Sequence, residues 1–171
     1  YNIFEKEVYD LVRGILLNGH EVGLHFDPSF YSITAENVEL LQSYVNRESI
    51  LVESLFGTNI NALSFHNPEI GGFTEFSALH LNNLVNAYSS YLQHNYSYVS
   101  DSNGYWRFRR LYDVLEEGKE ERLQVLTHPG WWTPEPMKPR ERIQRCIDGR
   151  AKKTAVYYDS FIDKSGRLNI R

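Results

Sequence analysis

The sequence predicts an α/β fold in which short parallel strands alternate with helices, as an open parallel sheet or as part of a β/α barrel. One observation behind this prediction is the alternation of short apolar runs with longer segments of helical periodicity. A second is that each apolar run ends in a chemically active side chain, and these are His25, His66, Asp101 and His128. The carboxyl ends of parallel strands carry the chemistry in such folds, so we expect the four side chains around one pocket.

The first half of the chain predicts two pairs of a helix and a strand. Apolar residues at helical spacing predict a helix over 4–18 that an Asn-Gly pair ends. The apolar run that follows predicts a buried strand over 21–26. Thr34 then caps a long second helix that ends at Gly57, and residues 62–65 predict the second strand.

The second half continues the alternation after a less regular segment. Residues 75–91 predict a looser helical or irregular stretch. A third strand at 96–100, a helix at 105–117 and a fourth strand at 123–127 follow. A Pro-rich segment then leads into a long helix over 140–162.

Length and composition are those of a soluble globular domain. The chain has 171 residues, 42% of them hydrophobic and 23% charged, so we expect a single domain over residues 1–171 with a sizeable core. Its 12 Tyr, 9 Phe and 3 Trp suit both a core and stacking against sugar rings. A net charge of −4 argues against nucleic acid as the main partner, because phosphate binding needs a basic surface.

The cysteine count and the hydropathy exclude several further classes of protein. Cys146 is the only cysteine, which excludes an internal disulfide and a thiolate metal cluster and predicts a cytoplasmic location. No run approaches the ~20 apolar residues of a membrane-spanning helix, so we expect no membrane span. The chain begins at Tyr1 and enters a predicted helix almost at once, so we interpret it as the C-terminal portion of a longer chain.

Two of the strand-end histidines are candidate metal ligands. His25 ends the first predicted strand, where a neutral imidazole binds metals, and the alternative is a core histidine satisfied by backbone groups. Asp27 is either a further ligand, an acceptor that fixes a histidine tautomer, or the ordinary first residue of a turn before Pro28. His66 precedes Asn67 in a turn, and it is either a second functional histidine beside His25 or a surface turn residue.

The other two strand ends predict an acid–base pair. His128 precedes Trp131 and Trp132, which suits a general acid above a sugar site, and one of the two indoles is expected to fill the core instead. Asp101 is either the first residue of an Asx turn or the acceptor of a hydrogen bond from His128 that favours the protonated imidazole.

Four segments carry a resemblance to a known family. The run Gly-His-Glu-Val-Gly-Leu-His at 19–25 has the pattern Gly-His-Glu-(Ile/Val)-Gly-x-His, and Leu-Thr-His at 126–128 has the pattern Leu-x-His. Phe-His-Asn-Pro at 65–68 falls where a Phe-Arg-Pro-Pro segment is expected, and 101–106 falls where a loop with Asp and Trp is expected. In order and spacing these segments resemble the polysaccharide deacetylase family of carbohydrate esterases, and most closely a branch that modifies surface polysaccharides.

The resemblance implies a fold and a set of roles. The fold would be a partial or distorted seven-stranded β/α barrel of the deacetylase type that lacks its first strands. His25 would bind the metal, and His128 would be the general acid with Asp101 supporting it. The side chains expected along the substrate are Asn67, Trp106, Trp131 and Trp132.

The chain departs from the family pattern at two points. The family's second metal-binding histidine lies four positions after the first, where this chain has Ser29, so Asp27 or His66 would replace it. His66 stands where the family has an arginine, which favours His66 as the replacement. No adjacent pair of aspartates occurs in the sequence, so the catalytic base and a further ligand would lie upstream of Tyr1.

The function predicted from these residues is that of a metal-dependent hydrolase that removes an acetyl group from an acetylated saccharide, its substrate and partner. Mixed nitrogen and oxygen ligands suit zinc, with manganese, cobalt or iron as alternatives. Because the base would lie upstream, we expect this chain alone to turn over slowly or not at all. The alternatives are a catalytically degenerate barrel that binds glycans and a metal-dependent hydrolase of a small amide.

Overall fold

A computed structural model describes residues 2–167 of the chain. The chain folds into two compact units, one that runs through Tyr96 and a second that begins at Ser97. Each unit combines helices with a small sheet that contains parallel strands. The class is therefore mixed α/β, in agreement with the alternation of periods in the sequence.

The first unit is built on a four-stranded sheet. In chain order its helices and strands are α1 (Lys6–Leu17), β1 (Leu24–Phe26), α2 (Val38–Phe56), β2 (Ala62–Phe65), β3 (His80–Leu81), β4 (Leu84–Asn86) and α3 (Ser90–Asn95). The strand order is β1-β2-β4-β3, in which β1–β2 and β2–β4 are parallel and β3–β4 is antiparallel. The two strands predicted for this half therefore form and pair in parallel, which confirms that part of the prediction.

The ends of the first two helices agree with the sequence signals. After α1 the chain turns at Gly19 with φ 81°, and α2 ends at Gly57 with φ 65°. Glycine adopts this left-handed conformation without the steric penalty that a Cβ brings, which is why it stops helices. The second helix begins at Val38, and the residue that precedes its first turn is Asn37 rather than the expected Thr34.

The expectation for residues 75–91 is wrong, because this segment contains the β3–β4 hairpin before α3 begins. Asn82 and Asn83 form the two-residue turn between these strands and take positive φ values of 51° and 67°. Asparagine tolerates this region better than most residues with a side chain, so the pair makes a tight turn accessible. Strands of two and three residues are too short to show a period in the sequence.

The core of the first unit lies between the sheet and α2. Phe26 of β1 and Phe65 of β2 are buried together with Leu41 and Val45 of α2. Phe65 also packs against Phe73, with ring centroids 4.8 Å apart. Burial of these rings and aliphatic side chains holds the ends of β1 and β2 in place.

The second unit contains a parallel strand pair and a long helix. Its helices and strands are β5 (Ser97–Ser100), α4 (Leu111–Glu117), β6 (Leu123–Leu126) and α5 (Pro139–Ser165). β5 and β6 pair in parallel over their whole length, as the sequence predicts. α4 begins at Leu111 rather than at residue 105, because Tyr105 and Arg110 both have extended backbone conformations that a helix cannot include.

Over residues 2–167 the strands form a four-stranded and a two-stranded sheet, and no barrel closes. The predicted parallel pairing is thus present within each unit. In the same part of the chain, no helix combines the length and the apolar character needed to cross a lipid bilayer.

Candidate functional site

His25 and Ser64 lie side by side on adjacent parallel strands of the first unit. The register of β1 and β2 pairs Leu24 with Leu63, His25 with Ser64 and Phe26 with Phe65. The flanking residues of both strands are buried, whereas His25 is exposed and Ser64 is half-buried. Because side chains alternate across a strand, His25 and Ser64 share the face opposite the aromatic core.

His66 joins this pair from the turn that follows β2. Its backbone N–H donates to the carbonyl oxygen of Phe26 at 2.8 Å, which extends the strand pairing by one residue. Asn67 then takes a φ of 44°, in the left-handed region that asparagine tolerates, and the chain turns away at Pro68. This turn leaves the His66 and Asn67 side chains at the end of the strand pair, in the position that the sequence predicts for His66.

A continuous chain of hydrogen bonds links four side chains of the first unit. His25 Nδ1 lies 2.8 Å from Ser64 Oγ, and His25 Nε2 lies 3.2 Å from His66 Nδ1. On the far side, Asn67 Nδ2 lies 3.1 Å from His66 Nε2. The imidazole rings meet edge to face, with centroids 5.3 Å apart and an interplanar angle of 86°. The structure therefore brings together two of the three predicted metal ligands.

Asp27 is held by the loop that follows β1. Its Oδ1 accepts hydrogen bonds from the Ser29 backbone N–H at 3.0 Å and from the Ser29 hydroxyl at 2.5 Å, at the start of a 3-10 turn over Pro28–Tyr31. The hydroxyl of Ser29 is the main cause that holds the pKa of Asp27 below its ordinary value, and an electrostatic interaction with the His66 side chain is a smaller cause in the same direction. Asp27 is thus an ionised turn-starting residue within electrostatic reach of His66.

Two imidazole nitrogens of the first unit have a spacing similar to that of two ligands on one metal ion. Two nitrogens bound to one tetrahedral zinc at its usual Zn–N distance lie about 3.4 Å apart, close to the observed separation of His25 Nε2 and His66 Nδ1. Over residues 2–167 no three side chains of His, Cys, Asp or Glu come together in a group that could hold a metal ion. Of the three predicted ligands, His25 and His66 thus lie in contact, and the Asp27 carboxylate does not complete a group of three with them.

The second unit holds a histidine–aspartate pair at the ends of its two strands. Asp101 follows β5 directly, and His128 lies two residues beyond β6. Because the register pairs Ser100 with Leu126, both residues lie at the same end of the strand pair. His128 Nδ1 lies 2.6 Å from Asp101 Oδ1, and the His128 backbone N–H donates to Asp101 Oδ2 at 3.1 Å. Asp101 is only 6% exposed. Both oxygens of this buried carboxylate are therefore in need of partners, and His128 supplies one to each.

This arrangement decides which nitrogen of His128 faces outward. A buried carboxylate beside Nδ1 accepts the Nδ1–H, which leaves Nε2 as the atom available to a substrate. The His128 side chain is 45% exposed, and that of Asp101 is 8% exposed. The predicted contact between the two residues is thus present, with His128 as the solvent-facing partner.

The three tryptophans of the second unit differ in exposure. Trp131 is half-buried, and its backbone N–H donates to the carbonyl oxygen of His128 at 2.9 Å. Its ring lies against Gly104, where an added Cβ would come within 3.4 Å of Trp131 Cε3. Trp132 is 61% exposed, and Trp106 is half-buried. Trp131 thus packs into the unit, and Trp132 presents its indole to solvent.

Ser64 is the site residue that the sequence analysis missed. A serine inside a four-residue apolar strand carries no functional signal by itself. The available clue is its position two residues before His66, which places both side chains on one face of an extended chain. Pairing Ser64 with His25 required the strand register, which the sequence does not supply.

Comparison of the chain with protein-family models, with curated protein sequences and with solved structures finds no match.

Proposed function

We propose that this protein is a metal-dependent hydrolase that removes an acetyl group from a saccharide, on a distorted β/α barrel of the polysaccharide deacetylase type. The observation that carries the proposal is a pair of imidazole nitrogens, His25 Nε2 on β1 and His66 Nδ1 directly after β2, that face each other at 3.2 Å. His128, anchored on a buried carboxylate, supports it because acetyl removal needs a group that protonates the leaving amine or alkoxide.

In this proposal His25 and His66 hold a divalent cation. Imidazole nitrogens suit zinc best, with manganese, cobalt or iron as alternatives. When bound, such a cation supplies Lewis-acid polarisation of the acetyl carbonyl and lowers the pKa of a bound water. The Asp27 carboxylate, whose pKa the Ser29 hydroxyl keeps low, adds negative charge beside His66 and favours a cation there.

Within the second unit, His128 is the proposed proton donor. Asp101 accepts the Nδ1–H and fixes the orientation of the ring, so the proton that reaches a substrate is the one on Nε2. Trp132, with its exposed indole, offers an apolar face on which a sugar ring can stack. Trp131, packed against Gly104, positions the backbone around His128 instead.

The proposal is tested by metal binding and acetate release measured on the full-length protein. We expect zinc binding by calorimetry and release of acetate from acetylated oligosaccharides, with both abolished in His25→Ala and in His66→Ala. His94→Ala is the matched control, because His94 is an exposed histidine bonded to the backbone oxygen of Ser90. A protein that bound no divalent cation and kept its activity without His25 would contradict the proposal.

A second candidate is a glycan-binding domain of the same fold without hydrolysis. It is favoured by Ser29, which stands where the family pattern has a metal-binding histidine, and by the lack of a three-residue ligand group among residues 2–167. Glycan binding by calorimetry, weakened by Trp132→Ala and accompanied by no acetate release with any divalent cation, would select this candidate.

A further inference from the structure

We propose that Ser64 and Asn67 set the tautomers of His25 and His66, and that reversal of the Asn67 side-chain amide switches this pair between a metal-free and a cation-binding state. The inference rests on the proposed function, in which these imidazoles hold a cation. It assigns positioning roles to Ser64 and to Asn67, a residue otherwise expected along the substrate.

The first step is the direction of the hydrogen bonds in the chain from Asn67 to Ser64. Asn67 Nδ2 carries two hydrogens and no lone pair, so it donates to His66 Nε2 across 3.1 Å. A neutral His66 then carries its proton on Nδ1 and donates it to His25 Nε2 across 3.2 Å. His25 in turn carries its proton on Nδ1 and donates it to Ser64 Oγ across 2.8 Å. All three bonds are satisfied by one set of neutral tautomers.

The second step concerns the two nitrogens that would face a cation. In the state just described, the proton on His66 Nδ1 lies between the rings and occupies the lone pair that a cation needs. Metal-bound imidazoles use a deprotonated nitrogen and donate the proton on the other one to an acceptor. His25 already meets this condition, because its Nδ1–H has Ser64 Oγ as acceptor.

His66 meets the condition only when its proton moves to Nε2. That proton then needs an acceptor where Asn67 Nδ2 now lies. Rotation of the Asn67 side-chain amide by a half turn replaces Nδ2 with Oδ1, which accepts a hydrogen bond. Cation binding is therefore coupled to a tautomer shift of His66 and an amide reversal of Asn67, with no change in the number of protons on the four side chains.

This coupling makes opposite predictions for two substitutions at one position. Asn67→Asp puts an acceptor beside His66 Nε2 in every orientation, so it favours the cation-binding tautomer. Asn67→Gly removes the side chain and suits the observed φ of 44°, so the turn is kept while the acceptor is lost. Ser64→Ala removes the acceptor of His25, and Ser64→Thr restores a hydroxyl.

The experiment measures zinc affinity by calorimetry for these variants of the full-length protein. We expect Asn67→Asp to bind zinc several-fold more tightly, and Asn67→Gly and Ser64→Ala to bind it about 10- to 100-fold more weakly. Ser64→Thr should recover most of the affinity. Glu69→Gln is the control for general charge effects, because Glu69 is an exposed carboxylate two residues from Asn67.

A second readout needs no metal. Long-range proton–nitrogen NMR of the histidine rings should find His66 protonated at Nδ1 in the wild type and at Nε2 in Asn67→Asp, without zinc. Unchanged tautomers and unchanged relative affinities would overturn this inference while leaving metal binding intact. A wild type that binds no zinc would overturn the proposed function, and the NMR result would still decide the roles of Ser64 and Asn67.

Discussion

Asp101 is the residue whose environment most constrains its role. It is buried, and each of its carboxylate oxygens accepts a hydrogen bond from His128, one from the ring and one from the backbone. A group with this double task serves both the fold and the orientation of the imidazole, because loss of either bond leaves a buried polar atom unsatisfied.

Asp101→Asn should therefore affect stability and activity together. The amide oxygen can accept one bond, and the amide nitrogen can bond to His128 Nδ1 only by donating, which imposes the other tautomer of the ring. Because a charge-assisted bond is replaced by a neutral one, we expect a loss of about 1–3 kcal/mol in unfolding free energy. Acetate release should fall by roughly 100-fold or more, the lower range for loss of general acid catalysis. Urea denaturation and an acetate assay measure the two effects. Asp113→Asn, at an exposed carboxylate of α4, should change neither.

Tyr31 makes the unfolding free energy depend on pH, and the sign of this dependence follows from the surroundings of the phenol. Burial first, and then the hydrogen bond to Glu48, raise the pKa of Tyr31 from 10.0 to about 12. A raised pKa means that the folded state favours the protonated phenol, so the stabilisation is full below pH 10 and is lost as the pH rises toward about 12. Below pH 10, Tyr31→Phe should be less stable than the wild type.

The measurement is urea denaturation of both proteins at pH 8, 10 and 11. The difference in unfolding free energy should be constant up to about pH 10 and smaller at pH 11, because the wild type then begins to lose its advantage. Tyr157→Phe, at a tyrosine that is 73% exposed, is the matched control. A difference that grew between pH 10 and 11 would show that the phenol is not protonated preferentially in the folded state.

At the scale of elements, the close approach of β1 to β2 depends on Gly23. A Cβ built at Gly23 would lie 3.0 Å from the backbone oxygen of Ala62, which is closer than ordinary van der Waals contact. The same strand pair sets the distances between His25 and the side chains of Ser64 and His66. Absence of a side chain at Gly23 is thus a condition for the geometry of the site.

Gly23→Ala should destabilise the protein by about 1–3 kcal/mol and weaken zinc binding, because the two strands must move apart. Thermal denaturation and calorimetry measure the two effects. Gly14→Ala is the control, since nothing lies within 4 Å of a Cβ there and the position is inside α1. That variant should be more stable by up to about 1 kcal/mol, as alanine is the better helix former. If Gly23→Ala and Gly14→Ala had the same effect on stability and on zinc binding, the role given to Gly23 would be wrong.

At the scale of the whole molecule, the first unit depends on one aromatic core. Phe65 is 1% exposed and contacts the rings of Phe26, Phe73, Phe76 and Tyr88. These contacts lie on the opposite face of β2 from Ser64, so the core and the site share a strand.

Phe65→Ala should cost about 3–5 kcal/mol, the range for removing a buried phenylalanine, and should raise amide exchange in β1 and β2. Equilibrium denaturation and hydrogen exchange report the two effects. Phe108→Ala, at a ring that is 76% exposed, should stay within about 0.5 kcal/mol of the wild type. A small loss of unfolding free energy in Phe65→Ala would mean that the core collapses into the space left by the ring.

Most of the helices and strands that were predicted correctly follow from signals that are local in the sequence. Helical periodicity and the glycines at 19 and 57 determine where the first two helices end, and short apolar runs determine the four predicted strands. The β3–β4 hairpin escaped prediction because its turn depends on two asparagines with positive φ rather than on a period of apolar residues. The late start of α4 escaped it because Tyr105 and Arg110 are extended, which no apolar period shows. The two compact units are likewise a property of tertiary contacts.

By itself, the sequence determined three of the four strand-end residues, since local composition decides where a strand stops: His66, Asp101 and His128 lie within two residues after β2, β5 and β6. His25 is instead the middle residue of β1. Only the tertiary structure decided their partners. Ser64 meets His25 across 39 positions, and His66 meets His25 across 41. Such contacts follow from strand register and from the turn at Asn67. Register is set by packing on the buried face, and a shift by one residue would turn every side chain to the other face.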